Sequence, residues 1–411
     1  MKKRILSILL LCCMVLIMLP TTVLAADGPM DTIPKYDVSI DVYNRTSDIS
    51  IKDSRSYYIY SSVPDKLRDT WVWDKKIFIQ GDKAAPHVFI DGVHIEMSPS
   101  SKGPAIELNK KASAYLYFIG RDSTLQGADG RAAIQKNRSE GQLYVLARTG
   151  TTVTCKGGHR AAGIGGSWAI RNIGDPMFNM DMYGHGVNMH FGSQSNPDYW
   201  GGTINATGGE YGAGIGAGSD GYEDDYGYVD RIVINGGVIT AGSDSGAAIG
   251  GGQDYGPCGE IIINGGIIII SSKHMNETLI GSPDYYEERE DNKVVINGGN
   301  IISDNYPLSE GVSPAPKNKN GQAVFVHEFI IDEEAADEIV IITLPDGSSR
   351  KERAYGVRVE TFLPVASEAH DDISLSYESA DYEAVKEALK KVPEDTSIYT
   401  EESVKALEQA I

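Results

Sequence analysis

The stretch GAGIGAGSD, residues 212–220, sets a single isoleucine among four glycines and two alanines. An amphipathic helix would not choose this, since each glycine weakens a helix by about 1 kcal/mol. Nor does it alternate as a half-buried hairpin strand would. The group recurs along the chain as GPAIEL around Ile106, RAAIQK around Ile134, AAGIGG around Ile164, GAAIGG around Ile249 and TLIGSP around Ile280. Successive isoleucines are 28, 30, 51, 34 and 31 residues apart. Out of phase with them runs a second element: IVINGGVITA (232–241), IIINGGIIII (261–270), VVINGGNIIS (294–303) and a degenerate WGGTINATGG (200–209). A period near 30 built of short β-branched runs and glycine turns, without helical spacing, predicts a solenoid of stacked strands.

In such a solenoid each coil turns several times within about 4.8 Å of the next, so turn residues must accept positive φ or close backbone approach. The isoleucine of each group then points inward and stacks on its copies. Asn235, Asn264 and Asn297 of the NGG triplets are expected in the left-handed region, each bonding to its copy in the adjacent coil. Aligning TVTCKGG, TINATGG, VITAGSD and IIIISSK predicts Val153, Ile204, Ile239 and Ile268 at one inward position. Cys155, Ala206, Ala241 and Ile270 fall at the next, which makes Cys155 a core residue. Cys258 sits in what reads as a turn, DYGPCGE.

Weaker alternating strands (DVSIDV, YYIYSS, KIFIQG, HVFIDGVHI, YLYFIG) extend the pattern toward the amino end. Residues 1–25 have a basic start, an apolar core and a small-residue exit, the pattern of a secretory signal cleaved after Ala25. No later apolar run is long enough to span a membrane. The formal charge of −20 becomes −23 once Lys2, Lys3 and Arg4 leave, which argues against nucleic acid and anionic membranes and favours cations. With Cys12 and Cys13 in the leader, two cysteines remain, too few for a disulfide framework.

Gly-Pro-rich EGVSPAPKNKNG (310–321) reads as a linker that ends the solenoid. Beyond it, residues 322–376 read as a small β-rich module with a PDGS turn, placed to cap the solenoid's open end. In the tail, 377–411, Tyr382, Val385, Leu389 and Val392, then Val404, Leu407 and Ile411, fall at helical spacing and predict a helical hairpin. The expected fold is thus all-β: a right-handed parallel β-helix over 26–318 with an insertion at 168–200, then the module and the hairpin.

The GAGIGAG and INGG repeats after a VFIDGVHIEMS opening resemble the pectate-lyase-like carbohydrate-binding β-helices of secreted Gram-positive bacterial proteins, over residues 76–305. The tail, DYEAVKEAL through YTEESVKALEQAI, resembles a FIVAR-type surface-protein repeat without its last helix. The resemblance implies a secreted or cell-surface, generally non-catalytic protein that binds plant or cell-wall polysaccharide, often with calcium, and here expected as a monomer.

Two regions offer contacts for such a partner. The insertion carries Trp168, Phe178, Tyr183, Phe191, Tyr199 and Trp200, whose ring faces suit the apolar face of a sugar or else form a core of their own. Acidic turns follow successive isoleucines, so Asp220, Asp224, Asp225, Asp254 and Asp284 would gather on one edge, where carboxylates suit calcium and are equally common as turn residues. Tyr211, Tyr222 and Tyr255 share that edge. A polysaccharide lyase or hydrolase is the alternative, given Gly184-His185-Gly186 and Asp224-Asp225. In polygalacturonase-like enzymes, however, the paired carboxylates precede GHG, and Arg231 beside Asp230 is the single base candidate near the edge. A passive stalk or adhesin is the third reading.

Overall fold

The two repeating elements pair with their own copies, coil upon coil. A computed structural model describes residues 34–68, 70–98, 103–109, 111–136, 140–168, 185–196, 198–219, 228–253, 258–273, 278–282, 292–303 and 306–377. Three parallel sheets wind around one core, making a parallel β-helix. The first sheet holds nine strands, from Val38–Asp41 to Lys293–Ile296, the second seven, from His94–Glu96 to Asn300–Ser303, and the third nine, from Ile49–Ile51 to Val312–Ser313. The first two coils have no second-sheet strand; from His87–Asp91 onward the chain visits the three sheets in that order in each coil.

From Ile164–Gly165 to Ile280–Gly281 the third-sheet strands are only two residues long, an isoleucine and a glycine. Ile106, Ile134, Ile164, Ile215, Ile249 and Ile280 form one column, and Ile49, Ile77 and Val312 extend it at its ends. From Ile77 to Ile280 every member is fully buried. The glycines form a neighbouring column: Gly216 has φ +142°, and a Cβ on it would lie 1.9 Å from the Gly250 carbonyl oxygen. Only a residue without a side chain fits there. In the second sheet Val153, Ile204, Ile239 and Ile268 share one inward register, and Cys155, Ala206, Ala241 and Ile270 the next. Cys155 is buried and free, and burial pushes its thiol pKa far up.

The NGG turns join first-sheet to second-sheet strands. The Asn264 amide donates to Asn235 Oδ1 (2.9 Å) and the Asn297 amide to Asn264 Oδ1 (2.8 Å). The expected left-handed asparagines are not found, because the second glycine takes that conformation, as at Gly237 (φ +82°). The asparagines are thereby left to make the ladder. Cys258 is likewise not in a turn: it opens the strand Cys258–Ile263, fully buried in register with Val229.

The insertion is also shorter than expected. Met189–Phe191 is an ordinary first-sheet strand, with Met189 and Phe191 buried in register with Leu143 and Val145. Inward positions occupied by large residues make this stretch part of a coil. The supposed linker contributes too, since Val312–Ser313 pairs with Ile280–Gly281, and Lys317 bridges Val295.

The small module pairs Phe325–Ile330 with Arg358–Leu363, and Ile339–Thr343 with Ser349–Arg353 and Ser374–Tyr377. It has its own core around Phe329, Val340, Ile342 and Val359, while its Phe362 belongs to the solenoid's core. Polar contacts complete the junction: both Glu352 carboxylate oxygens accept from Gly299 N–H (2.9 Å), and Thr361 donates to the Gly299 carbonyl (2.8 Å). Asn300, fully buried, donates to the carbonyls of Arg353 and Arg358 and accepts from Glu360 N–H. These contacts satisfy polar groups at an end that would otherwise leave them buried and unpaired.

Candidate functional site

Two of the aromatic residues singled out from sequence meet on one corner of the solenoid. Trp168 follows the third-sheet strand Ile164–Gly165, and Tyr211 lies in the turn before Ile215–Gly216. Between them stands Arg160, whose guanidinium carbon is 4.6 Å from the Tyr211 ring centroid and 5.6 Å from that of Trp168. The His159 ring meets both edge-on, at 5.6 Å and 6.2 Å, and its Nδ1 is 3.2 Å from Glu210 Oε2. Trp168, Arg160 and Tyr211 are half-buried, and the His159 and Glu210 side chains are 42% and 54% exposed.

Neighbouring coils fix the backbone of this cluster. Trp168 N–H donates to the Gly130 carbonyl (2.9 Å), Ser219 N–H to that of Arg160 (2.8 Å) and Gln253 N–H to that of Tyr211 (2.9 Å). Arg160 holds a positive φ of 62°, an unfavourable conformation for arginine that the surrounding turn maintains. The result is a partly exposed patch combining two rings, a guanidinium, an imidazole and a carboxylate. Rings supply an apolar surface and the charged groups supply donors and acceptors for hydroxyls. Sequence reasoning missed His159, Arg160 and Glu210, which lie in turns of adjacent coils and carry no motif.

Tyr199 and Trp200 sit elsewhere. Trp200 packs on Tyr117, with centroids 5.1 Å apart, and meets Tyr199 edge-on at 4.7 Å. It joins an aromatic cluster on the outside of the first sheet with Tyr58, Phe89 and Tyr117, where burial pushes the Tyr117 hydroxyl up to about 12. Beside it runs a column of stacked rings, His87, Tyr115, Tyr144 and His190, at 4.6 Å spacing. Within this column, neighbours in adjacent coils cover the faces of Tyr115 and Tyr144. Such pairs hold coils together, by about 0.5–1.5 kcal/mol each, rather than stacking on a ligand.

Tyr183, Tyr222, Tyr255 and Phe178, and all five aspartates expected to hold calcium (Asp220, Asp224, Asp225, Asp254, Asp284), lie outside the described residues. Among the described residues no group of three or more His, Cys, Asp or Glu could hold a metal ion, and no helix is long and apolar enough to cross a membrane.

The residues considered for catalysis are engaged structurally. His185 is buried, its Nδ1 accepting Tyr228 N–H at 3.1 Å. Arg231 pairs with Glu260 (2.9 Å), not with Asp230, and Glu260 also meets Lys293 (2.7 Å), forming an ionic row across three coils. Lys136 has the lowered pKa of a base, about 8, caused by its burial, yet it is 1% exposed and donates to the Glu140 carbonyl at 3.2 Å.

No family profile, curated protein or solved structure matches the chain.

Proposed function

We propose that the protein is a secreted or cell-surface, non-catalytic polysaccharide-binding protein of the pectate-lyase-like type, with a partial FIVAR-like repeat at 377–411. The observation that carries this reading is the corner of Trp168, Arg160, Tyr211, His159 and Glu210, which combines ring surface with hydroxyl-binding groups on a rigid frame. Calcium enters the same proposal. The acidic segments containing Asp220 and Asp254 begin directly after Ser219 and Gln253, whose backbones are hydrogen-bonded to Arg160 and Tyr211. A cation held there would bridge the corner to a carboxylate-bearing or hydroxyl-rich chain.

The test is depletion of the protein by a panel of insoluble neutral and acidic polysaccharides, in calcium and in EDTA. Retention on at least one member is expected, at least tenfold weaker in Trp168→Ala and Tyr211→Ala and unchanged in Tyr199→Ala. Retention lost in EDTA assigns the cation a role. No retention on any member, or soluble products released from one, overturns the reading in favour of a stalk or an enzyme respectively.

A further inference from the structure

The small module leaves one strand edge open. Phe325–Ile330 pairs with Arg358–Leu363 on one side and, among the described residues, with no strand on the other. In an antiparallel pair, successive residues direct their N–H and C=O groups alternately toward the partner strand and away from it. Ile331 N–H donates to the Val357 carbonyl (2.9 Å), so the odd-numbered residues of this strand face their partner. The partner strand agrees: the Arg358 carbonyl and Glu360 N–H, opposite Ile330 and Glu328, turn the other way to Asn300. Val326, Glu328 and Ile330 therefore each direct an N–H and a C=O to the open side. Val324 N–H, in the same row, is taken by the Pro316 carbonyl (3.3 Å), whereas the backbone groups of Val326, Glu328 and Ile330 on that side meet no partner among the described residues.

The features that close an exposed edge are missing here. The strand is six residues long, contains no proline, glycine or lysine, and keeps an unbroken register without a bulge. Its one carboxylate, Glu328, is paired with Arg358 (3.2 Å). Ile330 is 68% exposed, the most exposed large apolar side chain among the described residues. It stands beside Arg358, which in turn lies opposite exposed Tyr355, so apolar surface flanks the charged pair.

Charge around the edge selects what can add to it. Residues 322–338 and 364–377 carry nine carboxylates and no lysine or arginine. The second segment includes Ser367–Asp372, whose His370 is held against the strand by a hydrogen bond to His327 (3.0 Å). Arg358 serves two carboxylates at once, Glu328 and Glu360 (2.9 Å). A second copy of this strand would bring its own acidic surroundings to the edge, and like charges across a strand pair oppose pairing. A basic strand is attracted instead.

We infer that this edge takes up, by strand addition, an extended basic segment of another protein with the pattern apolar–x–basic–x–apolar. Such a segment completes the hydrogen-bond ladder at Val326, Glu328 and Ile330. Because alternate residues share a face, its basic side chain lies opposite Glu328 and its apolar ones opposite Val326 and Ile330. The inference concerns the module alone and stands whether or not the Trp168 corner binds a polysaccharide.

The probe is a fluorescently labelled peptide, Thr-Val-Thr-Lys-Thr-Val-Thr, titrated with the intact protein and followed by anisotropy. Saturable binding is expected, at least tenfold weaker when glutamate replaces the lysine. N-methylation at the valines and lysine, whose N–H groups meet the edge, is expected to abolish binding, and N-methylation at the threonines to leave it measurable. Glu328→Lys, an exposed change whose folding circular dichroism checks, is expected to weaken the lysine peptide at least tenfold, to favour the glutamate peptide and to leave polysaccharide retention unchanged. No binding of the lysine peptide, equal binding of the two peptides, equal loss from either set of N-methyl groups, or indifference to Glu328→Lys overturns the inference. A wild-type dimer in sedimentation that excludes the peptide assigns the edge to a second copy and overturns it as well.

Discussion

Replacing Gly216 by alanine tests the packing of the third sheet at its tightest point. At φ +142° a new Cβ would stand 1.9 Å from the Gly250 carbonyl oxygen. Ordinary contact begins near 3.4 Å, so the coils would have to part by about 1.5 Å, roughly a third of the 4.8 Å between strands. That carbonyl accepts Ala217 N–H at 2.9 Å. Leaving it buried and unpaired costs about 1–3 kcal/mol, and the backbone conformation costs an alanine about 1–2 kcal/mol more. The expected loss is at least about 3 kcal/mol before any loosening of the Ile215 and Ile249 stack. Gly150→Ala is the control: its φ of +80° carries the conformational cost, but nothing lies within 4 Å of the added carbon, so about 1–2 kcal/mol is expected. Urea unfolding followed by far-UV circular dichroism measures both. Hydrogen exchange should localise the Gly216 damage to the coils between Ile164 and Ile280, since a solenoid couples only neighbours. If Gly216→Ala is no more destabilising than Gly150→Ala, the close-packed glycine column is wrong.

Other perturbations address the core, the cap and pH. Ile249→Ala removes a fully buried member of the isoleucine column and should cost about 2–5 kcal/mol in the same denaturation assay. Glu352→Ala leaves half-buried Arg350 without its carboxylate and Gly299 N–H without its acceptor. A loss of about 3–5 kcal/mol is expected, with faster amide exchange at Gly299 while the distant Ile134 strand keeps its protection. His327 is buried, which lowers its pKa; its bond to the Val365 carbonyl opposes this, and nearby His370 and Arg350 lower it further. Because the folded value lies below the ordinary 6.5, the unfolded chain takes up the proton first. Stability is therefore full above 6.5 and falls as pH drops through that value toward the folded one. The melting temperature of the wild type should fall more between about pH 7 and pH 5 than that of His327→Gln; equal slopes would remove His327 from the account. The difference between the two proteins is the quantity to read, because buried Glu352 and Glu360, whose pKa values are raised by burial, gain stability in the opposite direction as pH falls.

Local pattern and repetition determined much of this protein. A β-helix stacks the same position of every coil, so a period read from one dimension fixes which residues touch in three. That is why the isoleucine column, the shared register of Val153 with Ile204 and Cys155 with Ala206, and the burial of Cys155 were all legible. Where the repeat lapses, local pattern no longer marks the coil. Met189–Phe191 lacks the glycine signature and so reads as insertion, and Cys258 reads as a turn because Gly and Pro precede it, although both segments pack in ordinary strand register. Repetition shows that the asparagines bond to one another but not which residue of each turn takes positive φ, since Asn and Gly both tolerate it and the ladder's geometry makes the choice.

The tertiary structure alone decided which side chains share a surface. Trp168 and Tyr211 are joined by Arg160 and His159 because turns of successive coils are superposed. Trp200 is drawn off to Tyr117 because a first-sheet column lies within reach. Likewise the lysines of 317–319 and the strand Ser349–Arg353 flank the asparagine ladder only because the chain returns over the end of the solenoid after its last coil. Repetition sets the contacts within a column. Where non-repeating segments settle against the columns depends on long-range packing, and no local pattern encodes it.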